Sequence, residues 1–484
     1  MICHGRTRLP VLALCTALVA WPVAGGAQPA PPAPSGPPLS PPQDIQPVQP
    51  VSLPAMPTAR EPLRPPEGIR AFPTPAEVVD RDLALEEAIG IALVTQPQIR
   101  ARLEDYAAAQ QRVNQALSPL LPQVSGFVTA GRSQSPDVQL EGAGGQRVTV
   151  TQLQSNVQTG ISASQLIFDF GKNWAATDAA KAVASAVREQ AEIQKDLTVL
   201  AVKESYFTLL LSLRLVKVNE AALDRANLNL RSARGFFEVG TRPKSDVTRA
   251  EVDVANARVS LIRAQNAVSL SRTALNTAMG IAVNNPTRVR DILTYEEYRV
   301  DTGGVVTEAI KQRPETRQAR ALVEQEEALV RQAFRNFFPD VVASAQYGIA
   351  RPDIFSDFWS VGASLQWSIF DGGNRISRYK EEKVKWEAAK ARLRDIELTV
   401  WREVEQAYLN LAAAEEQIFA ARKAVESAEE NFRLSQGRFD AGVGTIIELT
   451  DAQLELTQSQ SQEALALSDF RISISRLERA VGRR

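Results

Sequence analysis

Two periodicities divide the chain. From Trp359 to Ile369, apolar side chains occupy Trp359, Val361, Ala363, Leu365, Trp367 and Ile369, with Ser360, Gly362, Ser364, Gln366 and Ser368 between them. Period-two alternation over such a length predicts a strand with one apolar and one polar face, long enough to cross a bilayer at a tilt. The segment before it alternates as well, with Val341, Ala343, Ala345 and Tyr347 set against Val342, Ser344, Gln346 and Gly348. Weaker alternation covers Val124 to Ala130 and Val157 to Phe168. Two hairpins follow, with strands at about 123–131 and 150–169, then about 341–350 and 357–370. Trp359, Val361, Ala363, Leu365 and Trp367 are the expected lipid-facing set of the last strand. The bland reading is two amphipathic hairpins on a soluble core; the Gly/Ser-rich opposite face and the two Trp favour lipid.

The second periodicity is helical. Lys172–Arg234 and Asn374–Gln436 each run 63 residues without Gly or Pro. Each predicts a helix of roughly 90 Å at 1.5 Å per residue, against about three turns for an ordinary globular helix. Narrow stripes mark the packed sides: Leu197, Leu200, Ala201, Glu204, Phe207, Thr208 and Leu211 in one, Leu398, Val400, Val404, Ala407, Tyr408 and Leu411 in the other. The remaining faces are rich in Gln, Asn, Lys and Glu, as water-facing helix surfaces are. A Gly-containing turn then leads into a shorter helix, at about 245–279 and 446–481. A further helix is expected to start near Asp82 as N-cap, carrying Leu83, Leu85, Ala88, Ile89 and Ala92 at helical spacing.

These elements occur twice. Ile167-Phe168-Asp169-Phe170-Gly171 returns as Ile369-Phe370-Asp371-Gly372-Gly373, and Gly280 returns as Gly482, all 202 residues on. Ahead of the hairpins the offset is 217, pairing Pro97 with Pro314 and Pro122 with Pro339. The first copy therefore carries 15 extra residues near Ser133 to Val150, as a surface loop permits. A fixed offset means duplication and a pseudo-symmetric architecture. The repeats span about 82–280 and 304–482, joined by a linker at 281–303.

Composition narrows the chemistry. Residues 1–27 read as a secretory signal, with Arg6 and Arg8 before the apolar Val11 to Val23 and the small residues Gly25, Gly26 and Ala27 at the cleavage site. Leu14 before Cys15 does not suit lipidation, so an unlipidated chain from near Gln28 is expected. Residues 28–80 hold 17 of the 28 prolines and predict an extended or disordered leader. Cys3, Cys15 and His4, the whole complement of both residue types, lie in the signal. The mature chain then has no disulfide, thiolate nucleophile, imidazole base or usual zinc ligand. No catalytic, cofactor or metal site is expected, and no enzyme activity. Without Arg6 and Arg8 the formal charge moves from −1 to −3, which gives no basic excess for nucleic acid. No later run of about 20 apolar residues predicts a spanning helix.

Four membrane strands cannot close a barrel, since the smallest bacterial barrels have about eight, and open edges are not tolerated in hydrocarbon. Several chains must share one barrel, and the long helices must continue it as a tube. Ala175, Ala176, Ala179, Ala180 and Ala182 permit close helix packing there.

The duplicated Ile-Phe-Asp-x-Gly turns, the Leu85-Glu86-Glu87-Ala88 start, Pro97, Pro314 and the two Gly-containing helix turns, in this order, resemble the TolC family of outer-membrane efflux and secretion channels over about residues 82–484. The resemblance implies a mainly α fold with a transmembrane β-barrel: a homotrimer with four strands per chain in a 12-stranded barrel, continued by a periplasmic α-helical barrel and girdled by an equatorial region, for which residues 281–303 and the Pro-rich leader at 28–80 are the candidates. It implies a passive exit duct without cofactors, set in outer-membrane lipid. Its partners would be a periplasmic adaptor (a membrane fusion protein) and an inner-membrane ABC or proton-driven transporter. Adaptor docking would use the turns Val239-Gly240-Thr241 and Ala441-Gly442-Val443. The periplasmic gate would fall on Asp246, Phe439, Gly444, Glu448 and Asp451, with the last two as an acidic constriction. Phe439 stands where some relatives have a gating Tyr, and Gly444 where they have an Arg, so their Arg-to-Asp latch is absent; Arg242 and Arg249 are the candidates to replace it. The rival reading is a periplasmic coiled-coil adaptor or scaffold.

Overall fold

The computed structural model describes residues 82–134, 138–141, 147–150, 153–299, 303–351 and 356–484. The expected signal at 1–27 and the Pro-rich leader at 28–80 lie outside the described residues. In chain order the elements are β1 (Asp82–Leu83), α1 (Leu85–Thr95), α2 (Pro97–Leu117), β2 (Gln123–Gln134), β3 (Val138–Glu141), β4 (Arg147–Val150), β5 (Leu153–Phe168), α3 (Lys172–Glu238) and α4 (Lys244–Met279). The second half holds β6 (Arg288–Val289), α5 (Val305–Gln312), α6 (Pro314–Arg335), β7 (Asp340–Arg351), β8 (Ser356–Gln366), α7 (Asn374–Asp440) and α8 (Ile446–Val481).

The duplication is kept to the residue in the helices. Helices α3 and α7 are each 67 residues long, α4 and α8 each 36, and every one of their ends is displaced by 202. Both long helices run four residues past the Gly/Pro-free stretch, through Gly235 and Gly437. A glycine inside a helix costs about 1 kcal/mol, which a helix this long absorbs. The Ile-Phe-Asp-x-Gly motif explains both starts. The Asp169 carboxylate accepts from the amides of Gly171 and Asn173 at 2.9 and 2.7 Å, and Asp371 does the same for Gly373 and Arg375 at 3.2 and 3.1 Å. Each acid thus serves amides that the first helical turn leaves unpaired.

Strands β2, β5, β7 and β8 form one antiparallel sheet in the order β2-β5-β7-β8, with β2 and β8 at its edges. The extra residues of the first repeat include a short ribbon, β3 against β4, rather than loop alone.

Midway along α3 and α7, α1 and α5 pack on them. Tyr206, Leu209, Leu275, Met279, Leu293, Ile418 and Leu477 are fully buried there. A parallel β1–β6 bridge ties the start of the first repeat to the inter-repeat linker. The Tyr206 hydroxyl donates to the carbonyls of Leu83 and Arg290, both at 2.9 Å. Burial pushes this phenol up to about 12. Arg313, also buried, is held by Glu315 at 2.9 Å and Glu403 at 2.5 Å, so its charge is paired where it loses water.

Two expectations are corrected. Asp82 is not an N-cap: it lies in β1, and Ala84 caps α1, its amide donating to Glu87 at 3.1 Å. The stripe on α3 is rotated: Phe207 is buried as expected, but Leu197, Ala201 and Thr208 are exposed, while Val199, Val202, Tyr206 and Leu210 are buried. Apolar residues recur on more than one side of this helix, so periodicity alone does not fix its packed face. On α7, Val400, Val404, Ala407 and Leu411 are buried as expected, but Leu398 and Tyr408 are exposed.

Candidate functional site: the sheet faces and the helix tips

Directly opposed strand residues share a face, so the register distributes side chains over the whole sheet. Ile161 opposes Tyr347, which opposes Trp359; Ala163 opposes Ala345, which opposes Val361; Val341 opposes Leu365, and Ala343 opposes Ala363. One face is therefore mostly apolar, beginning with Val124 and Val128 on β2, with Thr159, Gln165 and Asp357 among its polar members. The other carries Ser125, Ser162, Ser344, Gln346, Ser360 and Ser364, with the hydroxyls of Ser125 and Ser162 2.8 Å apart. Trp359, Val361 and Leu365 are 73, 75 and 65% exposed, too much apolar surface to leave to water. Trp367 is the exception in the expected set. Strand β8 ends at Gln366, and the Trp367 indole turns back to donate to the Phe337 carbonyl at 3.0 Å.

At the other end, the two helix turns are copies. The Thr241 amide reaches the Phe236 carbonyl at 2.9 Å, and the Val443 amide reaches Arg438 at 3.0 Å, five residues back in each case. Gly240 and Gly442 sit between them at φ +73° and +76°. Their requirement is this left-handed backbone; close approach within the chain is not the reason, because no atom lies within 4 Å of where a Cβ would stand. Val239 and Val443 are exposed on these turns, as are Thr241 and Ala441.

Between the turns lies a small core of Phe439, Ile446 and Leu449, with Phe236 and Phe432 against it. Phe439 is fully buried, its ring edge-on to Phe236 at 5.7 Å. Arg242 closes this core. Its guanidinium lies 4.1 Å from the Phe439 ring centre and 5.5 Å from that of Phe236. It donates to the carbonyls of Gly444 at 2.7 Å and Phe439 at 3.3 Å, and stands 3.6 Å from the Asp246 carboxylate. A Cβ on Gly444 would meet Arg438 and the Phe439 amide at 3.0 Å, so this position is packed shut. Asp246, Phe439 and Gly444 are thus brought together, and Arg242 rather than Arg249 joins them. Its four-residue spacing from Asp246 was the available signal. Glu448 and Asp451 stand apart, exposed on the first turns of α8. Glu448 lies 3.7 Å from Arg438, and its amide is capped by the Thr445 hydroxyl at 3.2 Å.

Among the described residues, no helix is long and apolar enough to cross a membrane, and no group of His, Cys, Asp and Glu is placed to hold a metal ion.

Known proteins match this architecture. The family model described as outer membrane efflux protein matches residues 88–281 and 305–483, both repeats. The chain is 24% identical over 388 residues to a probable efflux pump outer membrane protein, TtgC of Pseudomonas putida, covering 78% of each chain. It is 22% identical over 412 residues to the outer membrane protein TolC of Escherichia coli, covering 81% of this chain and 80% of that one. Among solved structures it superposes on CusC with a TM-score of 0.74 at 18% identity, over 83% of this chain and 93% of the other. The chain therefore belongs to the outer membrane efflux protein family, channels rather than enzymes, and is an outer-membrane protein of the Gram-negative type with an extended periplasmic helical part.

Proposed function

We propose that the protein is one subunit of a trimeric exit duct that serves a tripartite efflux pump or a type I secretion system. The observation that carries this reading is the four-stranded sheet, apolar on one face and polar on the other, with two free edges and a helix pair continuing from each hairpin. Three copies would supply the strands of a 12-stranded barrel with the apolar face on lipid and the polar face on a lumen. The helices would carry the lumen into the periplasm. The relatives named as efflux pump outer membrane proteins support an efflux role. A coiled-coil adaptor has no use for a membrane-length amphipathic sheet.

The duct supplies no energy. An inner-membrane ABC or proton-driven transporter would drive export, and a periplasmic adaptor would dock on Val239-Gly240-Thr241 and Ala441-Gly442-Val443. The tip core joined by Arg242 would hold the resting state closed, and Glu448 and Asp451 would ring the constriction in threefold sets. Detergent-extracted protein should migrate as a heat-modifiable trimer and conduct ions in planar bilayers. Recovery as a soluble periplasmic monomer would overturn the proposal.

A further inference from the structure

Within the chain, the two repeats meet along β5 and β7. Thr159 opposes Ile349, Gly160 opposes Gly348, Ile161 opposes Tyr347 and Ala163 opposes Ala345. The backbones are so close here that a Cβ on Gly160 would stand 2.5 Å from the Tyr347 carbonyl, and one on Gly348 2.5 Å from that of Thr159. Both positions must be glycine.

The duplication maps this junction onto the free edges. Strand β8 is the counterpart of β5 at offset 202, and β2 is the counterpart of β7 at offset 217. Gly160 then corresponds to Gly362, and Gly348 to Gly131. Both counterparts are glycine too, yet neither has an atom within 4 Å of its Cβ direction. Nothing among the described residues accounts for them.

We propose that β8 of one copy pairs antiparallel with β2 of the next, in the register the internal junction dictates. Gly362 stands opposite Gly131 of the next copy, Ala363 opposite Ala130, Ser364 opposite Thr129 and Leu365 opposite Val128. The second copy brings its backbone against Gly362 and Gly131, as β7 does against Gly160. Face parity supports the register independently. Ala363, Leu365 and Val128 all lie on the apolar face, and Ser364 and Thr129 on the polar one. A slip of one residue would set each set against the wrong solvent.

This inference rests on the shared-barrel reading, and disulfide trapping separates the two. Cys3 and Cys15 are the only cysteines, both in the expected signal, so introduced pairs report cleanly. Opposed residues have Cβ atoms about 4.5–5.5 Å apart, against roughly 7–8 Å for the diagonal, and a disulfide needs about 3.5–4.5 Å. Oxidised outer membranes carrying Ala363→Cys with Ala130→Cys, or Leu365→Cys with Val128→Cys, should yield covalently joined chains. Ala363→Cys with Val128→Cys should yield far fewer, and Ile161→Cys with Tyr347→Cys should close within one chain. Preferential joining by Ala363→Cys with Val128→Cys, or with Arg132→Cys, would overturn the register while leaving the duct intact. An intact trimer joined by none of these pairs would do the same, whereas a monomer would overturn the duct reading and the inference together. As a second measure, Gly362→Val and Gly131→Val should abolish the assembled oligomer. Gly126→Val, whose Cβ meets only the Gly160 carbonyl at 3.9 Å, should not. Normal assembly of both the Gly362 and Gly131 variants would also overturn the proposal.

Discussion

Arg242 and Gly444 are joined across the two helix hairpins: the guanidinium of the first repeat's tip donates to the carbonyl of the second repeat's tip at 2.7 Å. The main chain at 444 accepts this bond, so the contact needs no side chain there, and the space beside Gly444 leaves room for none. The charge comes from the opposite hairpin. A hydrogen bond involving a charged group contributes about 1.5–3 kcal/mol, and stacking on a desolvated ring adds to it. Arg242→Ala should therefore raise the resting conductance of single channels in planar bilayers. Arg242→Lys should restore it only in part, because an ammonium lacks the planar fork, and Arg249→Ala should leave it unchanged. Parent-like closure in Arg242→Ala would move the latch elsewhere.

The sheet faces make opposite demands. Leu365→Arg should cost about 2–4 kcal/mol if the residue lies near the bilayer midplane, and should deplete the trimer in the outer-membrane fraction. Ser364→Arg, one residue away on the polar face, should assemble and alter conductance. Equal tolerance of both would invert or abolish the assignment.

Glu448 and Asp451 are three residues apart on one side of α8 and are exposed. Three copies at a narrow tip would concentrate negative charge where screening is poor. Replacing both by Ala should lower cation preference and weaken block by trivalent cations, with trimer stability little changed. Unaltered selectivity would make them solvated residues at a helix start, favourable to the dipole and nothing more.

Tyr206 gives a pH-dependent handle on the region between sheet and tips. The fold favours the neutral phenol, whose ionisation is pushed up to about 12 from an ordinary value of about 10. Its contribution is present below about pH 10 and is lost as pH rises through about 12. Tyr206→Phe should cost about 1–3 kcal/mol by leaving the Arg290 carbonyl short of a donor, whereas the Leu83 carbonyl still accepts from the Arg290 amide at 3.0 Å. Thermal dissociation of the trimer at neutral pH reads this loss. The gap between parent and variant should close in strong alkali; a gap that persists there would mean the hydroxyl is not its cause.

The sequence made the repeat and the polarity of the sheet legible, because both are carried by spacing. Alternation in β7 and β8 needs no partner to be seen, and a duplicated motif is visible wherever it lands. What spacing did not carry was the rotation of α3, where Leu197 and Val199 are equally apolar and only the packing against other helices selects Val199. Arg242 was likewise undecided against Arg249. Its role comes from a carbonyl 202 residues away, and a backbone acceptor leaves no trace in side-chain identity. Trp367 continued the alternation on paper, but the ladder had already ended at Gln366.

The equal lengths of the paired helices have a consequence for how such a chain can change. With α3 and α7 matched at 67 residues and α4 and α8 at 36, an insertion in one hairpin alone would leave its tip a step out of level with the other and pull Arg242 off Gly444. Length drift in the helices must therefore be correlated between repeats, or else be removed by selection. The hairpin tip of the first repeat is under no such constraint, and it is there, between β2 and β5, that the two halves have been free to diverge by 15 residues.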